Sequence, residues 1–147
     1  MSLLFVEPIG SRPHTFIAFD GEAGIKFSGY FQKLALFGQY INSDADDNDT
    51  GWLVGVKFGR SVKKLGDWEF KYNYRNLERD AVLDFLPNSD FYGGKTNAKG
   101  HEFEVKFGLA KHVSLALDYY YTKKIDFDAG KTDEPENLFQ FDVKFKF

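Results

Sequence analysis

Apolar and polar residues alternate along much of this chain. The sharpest case is the closing stretch Phe139-Gln140-Phe141-Asp142-Val143-Lys144-Phe145-Lys146-Phe147, which alternates without a miss. A period of two places successive side chains on opposite faces of a strand. The same period sets Trp52, Val54, Val56 and Phe58 against Gly55, Lys57 and Gly59 in 51–60. It sets Trp68, Phe70, Tyr72 and Tyr74 against Glu69, Lys71, Asn73 and Arg75 in 67–76. In 101–110 it sets Phe103, Val105, Phe107 and Leu109 against Glu102, Glu104, Lys106 and Gly108. In 112–122 it sets Val113, Leu115, Leu117, Tyr119 and Tyr121 against Ser114, Ala116, Asp118 and Tyr120. Residues 22–30 set Ala23, Ile25 and Phe27 against Glu22, Lys26 and Ser28. Residues 33–42 are strand-like but carry apolar groups on both faces, and 137–147 close the chain. An eighth strand is predicted over 14–20, turning at Asp20-Gly21. Residues 1–13 are poorly defined.

Most of these strands are about ten residues long, the length a tilted strand needs to cross a bilayer. The expected fold is therefore all-β, an antiparallel transmembrane β-barrel with about seven or eight strands here. The connections test this independently. In order they are short (31–32), long (43–50), short (61–66), long (77–100), very short (near 111) and long (123–136). Bacterial barrels have short periplasmic turns and long external loops, and this alternation keeps that parity. The aromatic residues sort in the same way. Tyr40, Trp52, Tyr72, Tyr74, Tyr119 and Tyr121 fall near the external strand ends. Tyr30, Phe58, Trp68, Phe107, Phe145 and Phe147 fall near the periplasmic ends, with Val54, Val56, Val105, Leu115 and Val143 between. Rings at both interfaces around an aliphatic belt form a girdle.

Composition sharpens this picture. Aromatic residues make up 18% of the 147 residues, yet the mean hydropathy is -0.41. Alternation reconciles the two, and no apolar run approaches the roughly 18 residues of a membrane helix. The absence of cysteine excludes disulfides and thiolate metal sites. A net charge of -3 gives no reason to expect nucleic acid as a partner. The start, Met1-Ser2-Leu3-Leu4-Phe5-Val6-Glu7-Pro8, lacks the basic segment and long apolar run of a signal peptide. Either a leader has been removed or the chain is the C-terminal part of something longer, and the second is the expectation. The chain is thus a single barrel domain over 1–147 or a C-terminal barrel segment.

Several motifs carry a resemblance. They are Gly66-Asp67-Trp68-Glu69-Phe70, then Tyr74-Arg75-Asn76-Leu77-Glu78-Arg79-Asp80-Ala81-Val82, then Asn88-Ser89-Asp90-Phe91, Gly93-Gly94, Thr96-Asn97, Lys99-Gly100 and Gly108-Leu109-Ala110-Lys111. With Asn48-Asp49-Thr50-Gly51-Trp52 and the closing aromatic strand, they make residues 30–147 resemble the C-terminal part of the "putative porin" family of Gram-negative bacteria. The resemblance implies an outer-membrane β-barrel that passes small solutes. It also implies a longer parent with a signal peptide and more strands. A further implication is recognition by the outer-membrane barrel-assembly machinery, for which Phe141, Val143, Phe145 and Phe147 are the expected signal, through β-augmentation.

Charged and polar residues at strand positions facing away from lipid are the candidate lumen lining: Lys57, Glu69, Lys71, Arg75, Glu104, Lys106, Asp118, Gln140, Asp142 and Lys144. Topology alone requires charge on that face, because lone charges are prohibitive in lipid. Both signs are present in rough balance, so no strong ion preference is expected. The 77–100 loop is too rich in Leu77, Val82, Leu83, Phe85, Leu86 and Phe91 to be idle. It folds into the lumen, with Arg79, Asp80, Asp84 and Asp90 as candidate constriction residues, or packs on the external rim.

Other chemistry fails on spacing. Asp44-Ala45-Asp46-Asp47-Asn48-Asp49 starts like a calcium loop, but Asp49 and Gly55 stand where Gly and an acidic ligand are needed. Gly94-Lys95-Thr96 lacks the upstream glycine of a phosphate loop, Ser89 standing in its place. His14, His101 and His112 are isolated, so no zinc-hydrolase motif exists. No catalytic constellation is present, and neither enzyme activity nor a cofactor is expected. The expected partners are outer-membrane lipid, the assembly machinery and small polar solutes, with a homo-oligomer left open. Two other readings remain: a small non-conducting structural or adhesion barrel of the outer membrane, and a soluble lipid-binding barrel, the same pattern turned inside out.

Overall fold

The computed structural model describes residues 2–5, 15–25, 33–43, 49–81, 90–126 and 134–145. They form one antiparallel sheet whose strands follow each other in chain order. The strands are β1 (Ser2–Phe5), β2 (Thr15–Ile25), β3 (Lys33–Asn42), β4 (Thr50–Gly59), β5 (Trp68–Leu77), β6 (Ala98–Ala110), β7 (Val113–Lys124) and β8 (Glu136–Phe145). A short 3-10 turn at Phe91–Gly94 interrupts the β5–β6 connection. Each strand from β3 to β8 has 10 to 13 residues, the length expected of a bilayer-crossing strand. Nearest-neighbour hairpins satisfy the backbone groups between β1 and β8. Among the described residues no ladder joins β1 to β8, so the sheet is an open one.

The period of two holds through the ladders. Val56, Tyr72, Phe103, Tyr119 and Phe139 are successive cross-strand partners, and so are Phe58, Phe70, Val105, Leu117 and Phe141. Both rows lie on one face. The alternate rows, on the other face, are polar. The two faces differ sharply in exposure. Asn73, Glu102, Tyr120 and Thr122 on the polar face are almost fully buried. Leu36, Val54, Phe139, Phe141 and Phe145 on the apolar face are each more than half exposed.

Two expectations need correction. The turn at Asp20-Gly21 does not form, and 14–20 is not a separate strand. β2 runs straight through, with Asp20 paired to Gln39 and Gly21 to Gly38. The Asp-Gly signal is local, whereas β3 offers a continuous template from Leu34 to Asn42. The first strand lies instead at Ser2–Phe5 and pairs with Thr15–Ala18. The connection parity is also less clean, because 60–67 is no shorter than 43–49. It rests on the two-residue turn at 111–112 at one end of the sheet, against 78–97 and 125–135 at the other. The expected turn at 31–32, the end of the strand at 26–30 and the acidic stretch 44–48 lie outside the described residues.

The ambiguity of 33–42 resolves into faces. Leu34, Leu36 and Tyr40 pair with Phe58, Val56 and Trp52 on the apolar side. Phe37 falls on the polar side opposite Gly55. A Cβ at Gly55 would collide with the Phe37 ring, so the glycine makes room for it. Lys57 then lies over that ring at 4.7 Å.

Candidate functional site

The register gathers the expected lining residues on one face. Lys57, Lys71, Glu104, Asp118 and Gln140 form a single cross-strand row, and Glu69, Lys106 and Asp142 belong to the next. Arg75 lies two positions beyond Asn73 along β5, and Lys144 pairs with Ser114 near the two-residue-turn end.

Opposite charges on this face are interleaved. Glu102 accepts hydrogen bonds from Lys71 Nζ at 2.6 Å and Arg75 at 3.3 Å. Lys106 Nζ meets Glu104 at 2.8 Å and Glu69 at 4.0 Å. Glu22 holds both Lys33, at 2.5 Å, and Lys57, at 3.2 Å. Lys57 and Lys71 face each other across the β4–β5 ladder, an unfavourable pairing of like charges. Each has its own carboxylate, which offsets that cost. Glu102 and Glu22 are the hubs, although neither was among the expected lining residues. The period marks them, since 102, 104 and 106 share a face. Nothing in the pattern marks Glu102 as the one that two cations grip.

The β5–β6 connection is divided between two places. Residues 78–81 dock on the rim: the Glu78 amide donates to Thr50 O at 3.1 Å, and Ser43 Oγ donates to the Asp80 carbonyl at 2.7 Å. Arg79 is exposed and reaches Asp126 at 4.0 Å, so Arg79 and Asp80 sit at the strand ends and not against the polar face. Asp84 lies outside the described residues, and Asp90 immediately precedes the 3-10 turn. Among the described residues of this connection, Phe91 packs onto the polar face. It is fully buried with Ala98 and Tyr120, flanked by Tyr92 and Leu138. The Arg75 guanidinium lies over its ring at 4.6 Å. Asn97 holds the segment's far end, accepting the Asp126 amide at 3.0 Å and, through its own carbonyl, the Ile125 amide at 3.0 Å. Tyr92 and Asn97 have positive φ angles of 51° and 59°, so the reversal is made without relying on glycine alone.

The apolar face carries a chain of rings. Trp52 and Tyr74 are 5.5 Å apart, Tyr74 and His101 4.9 Å, Tyr72 and Phe103 5.0 Å, and Tyr119 and Phe139 4.5 Å. The Tyr72 hydroxyl is hydrogen-bonded to His101 Nδ1 at 2.9 Å, which ties that histidine into the ring belt. Toward the other end, Phe58 packs on Trp68 at 5.6 Å and on Phe70 at 4.9 Å. Phe141, Val143 and Phe145 are exposed along β8, while Phe147 lies outside the described residues.

At the end of the sheet that holds the two-residue turn, 60–67 folds over β6. The Gly66 amide donates to Gly108 O at 3.1 Å, and the Gly108 amide to Asp67 O at 2.8 Å. A Cβ at Gly108 would strike the Lys64 carbonyl, so only glycine permits this approach. Asp67 Oδ2 accepts the backbone amides of Lys63 at 3.0 Å and Lys64 at 3.1 Å, and Arg60 lies 3.5 Å from Oδ1. The Lys63 amide above all, then the Lys64 amide and Arg60, hold the Asp67 carboxyl below its ordinary pKa, against the opposing effect of burial. Among the described residues no group of three or more histidine, aspartate or glutamate side chains is placed to hold a metal ion.

The chain matches no curated protein and no solved structure. A family model does match it, over residues 16–147, which takes in β2 from its second residue and every strand from β3 to β8. With its all-β antiparallel sheet, apolar on one face and charge-paired on the other, the chain belongs to the "putative porin" family.

Proposed function

We propose that this chain forms part of the wall of a water-filled channel in the outer membrane of a Gram-negative bacterium, for passive diffusion of small hydrophilic solutes and ions. The observation that carries the reading is the direction of the two faces. The charged face is the sheltered one and the aromatic face is exposed. In water an exposed apolar surface of that extent is a liability, whereas in lipid it is the required surface. A soluble lipid-binding barrel needs the reverse, with the apolar rows inside.

On this reading the paired rows from Lys57 to Asp142 line the lumen, and Phe91 narrows it beside Arg75. The longer connections lie outside the cell. Open strand edges are not viable in lipid. β1 and β8 therefore need partners in the membrane, either further strands or, in a small closed barrel, each other. The exposed β8 row of Phe141, Val143 and Phe145 suits capture by the barrel-assembly machinery. A small non-conducting barrel is the second reading, and the buried Phe91, Tyr120 and Asn73 favour it, because they fill space on the inner side.

Reconstitution into liposomes, read by heat-modifiable gel migration and planar-bilayer conductance, tests both readings. A heat-modifiable band with stepwise conductance is the expected result. A folded band without conductance would transfer the assignment to the non-conducting barrel. A monodisperse β-protein in plain buffer would overturn the membrane reading.

A further inference from the structure

One row on the apolar face is out of keeping with the rest. Following the register across β4 to β7, Trp52, Asn76, Lys99 and Lys123 are successive partners. Lys99 lies two residues from His101 and four from Phe103. Lys123 lies likewise from Tyr121 and Tyr119. Both lysines therefore stand on the aromatic side, at the strand ends that carry the longer connections. They oppose each other directly across the β6–β7 ladder.

Like charges in that position destabilise a sheet unless something lies between them. The lysines opposed on the polar face, Lys57 and Lys71, are each neutralised by a carboxylate. Among the described residues no carboxylate pairs with Lys99 or Lys123. Lys123 Nζ instead lies over the Tyr121 ring, 5.6 Å from its centroid. Beside Lys99, Asn76 Oδ1 is buried and has no hydrogen-bond partner, so a turn of this partly exposed carboxamide would offer an unsatisfied acceptor to a hydroxyl. Below the lysines runs the ring belt of Tyr74, His101 and Phe103. Two cations, a hydroxyl acceptor and an aromatic floor at a membrane rim match a headgroup that carries both phosphate and sugar hydroxyls.

We propose that Lys99 and Lys123 form a binding site for a phosphorylated glycolipid of the surrounding leaflet. The phosphate bridges the two ammonium groups, and the acyl chains lie along the ring belt. This rests on the membrane-wall reading above. If the lysines only extend their ammonium groups into water, as such side chains do at membrane boundaries, no phosphate preference results.

The test uses the complete folded protein in a neutral detergent, with folding checked by heat-modifiable migration. Native mass spectrometry then measures retention of diphosphorylated lipid A against phosphatidylcholine. The expected result is preferential retention of lipid A, falling with added salt. It should weaken roughly thirtyfold when both lysines are replaced, K99Q with K123Q, two charges near an anionic surface being lost. Lys111→Gln, at the opposite end, should leave it unchanged, and Lys99→Arg with Lys123→Arg should keep it. Equal retention of the two lipids by the folded wild type overturns the site without recourse to any variant. Competition by inorganic phosphate at equal concentration overturns the lipid assignment. Protein that shows no heat-modifiable fold in detergent overturns the membrane reading itself, a distinct outcome.

Discussion

Glu102 shows what a single side chain does in this sheet. It is 2% exposed and is held by Lys71 and Arg75 from the neighbouring strand. Glu102→Gln keeps its shape but leaves two cations without their shared counter-charge. A loss of about 2 kcal/mol is expected, read as a lower urea midpoint of the folded band. In a conducting preparation the reversal potential should also move toward anions, and an unchanged potential would separate Glu102 from the ion path. Asp67 supplies a pH dependence. Its folded pKa is lowered, so its stabilisation is complete above the pKa of an unfolded aspartate and is lost as pH falls through the folded value. The stability gap between wild type and Asp67→Asn should therefore be largest near neutrality and close on acidification. A gap that stays constant with pH would remove the carboxylate from the account. Neither role was legible beforehand. Alternation assigns each residue a face, but pairing depends on which neighbour the register sets beside it.

At the scale of elements, the strands from β4 to β8 could be read almost in full, because each keeps its period for about ten residues and ends at a loop, whereas β3, apolar on both faces, needed its neighbours to fix its orientation. The failure at Asp20-Gly21 has a simple cause. A two-residue turn signal says nothing about a partner strand long enough to override it. In the β5–β6 connection, Glu78 and the Asp80 carbonyl are bonded at the strand ends, while Phe91 packs on the polar face. The connection's apolar content was visible in the sequence. The anchoring of its far end was not, because it depends on Asn97 accepting the backbone amide of Asp126 from another connection. Phe91→Ala should remove the inward packing, cost about 3 kcal/mol and raise single-channel conductance. Unfolding and conductance on one preparation check both. A stability loss without any conductance gain would mean that Phe91 is core and not constriction.

At the scale of the whole molecule, the central claim is that the aromatic face meets lipid and the charged face meets water. The division into two faces is legible from the period of two, because the face of every side chain follows once one is fixed. The sequence could not say which face is sheltered, since a soluble barrel uses the same pattern in reverse. The decisive measurement is spin-label accessibility along β5 and β6 of the folded protein in vesicles, comparing oxygen with a water-soluble nickel complex. Labels at positions 70, 72, 103 and 105 should collide mainly with oxygen, and labels at 69, 71, 104 and 106 mainly with nickel. Nickel access at the aromatic positions, with oxygen preferred at the charged ones or no alternation at all, would contradict the account.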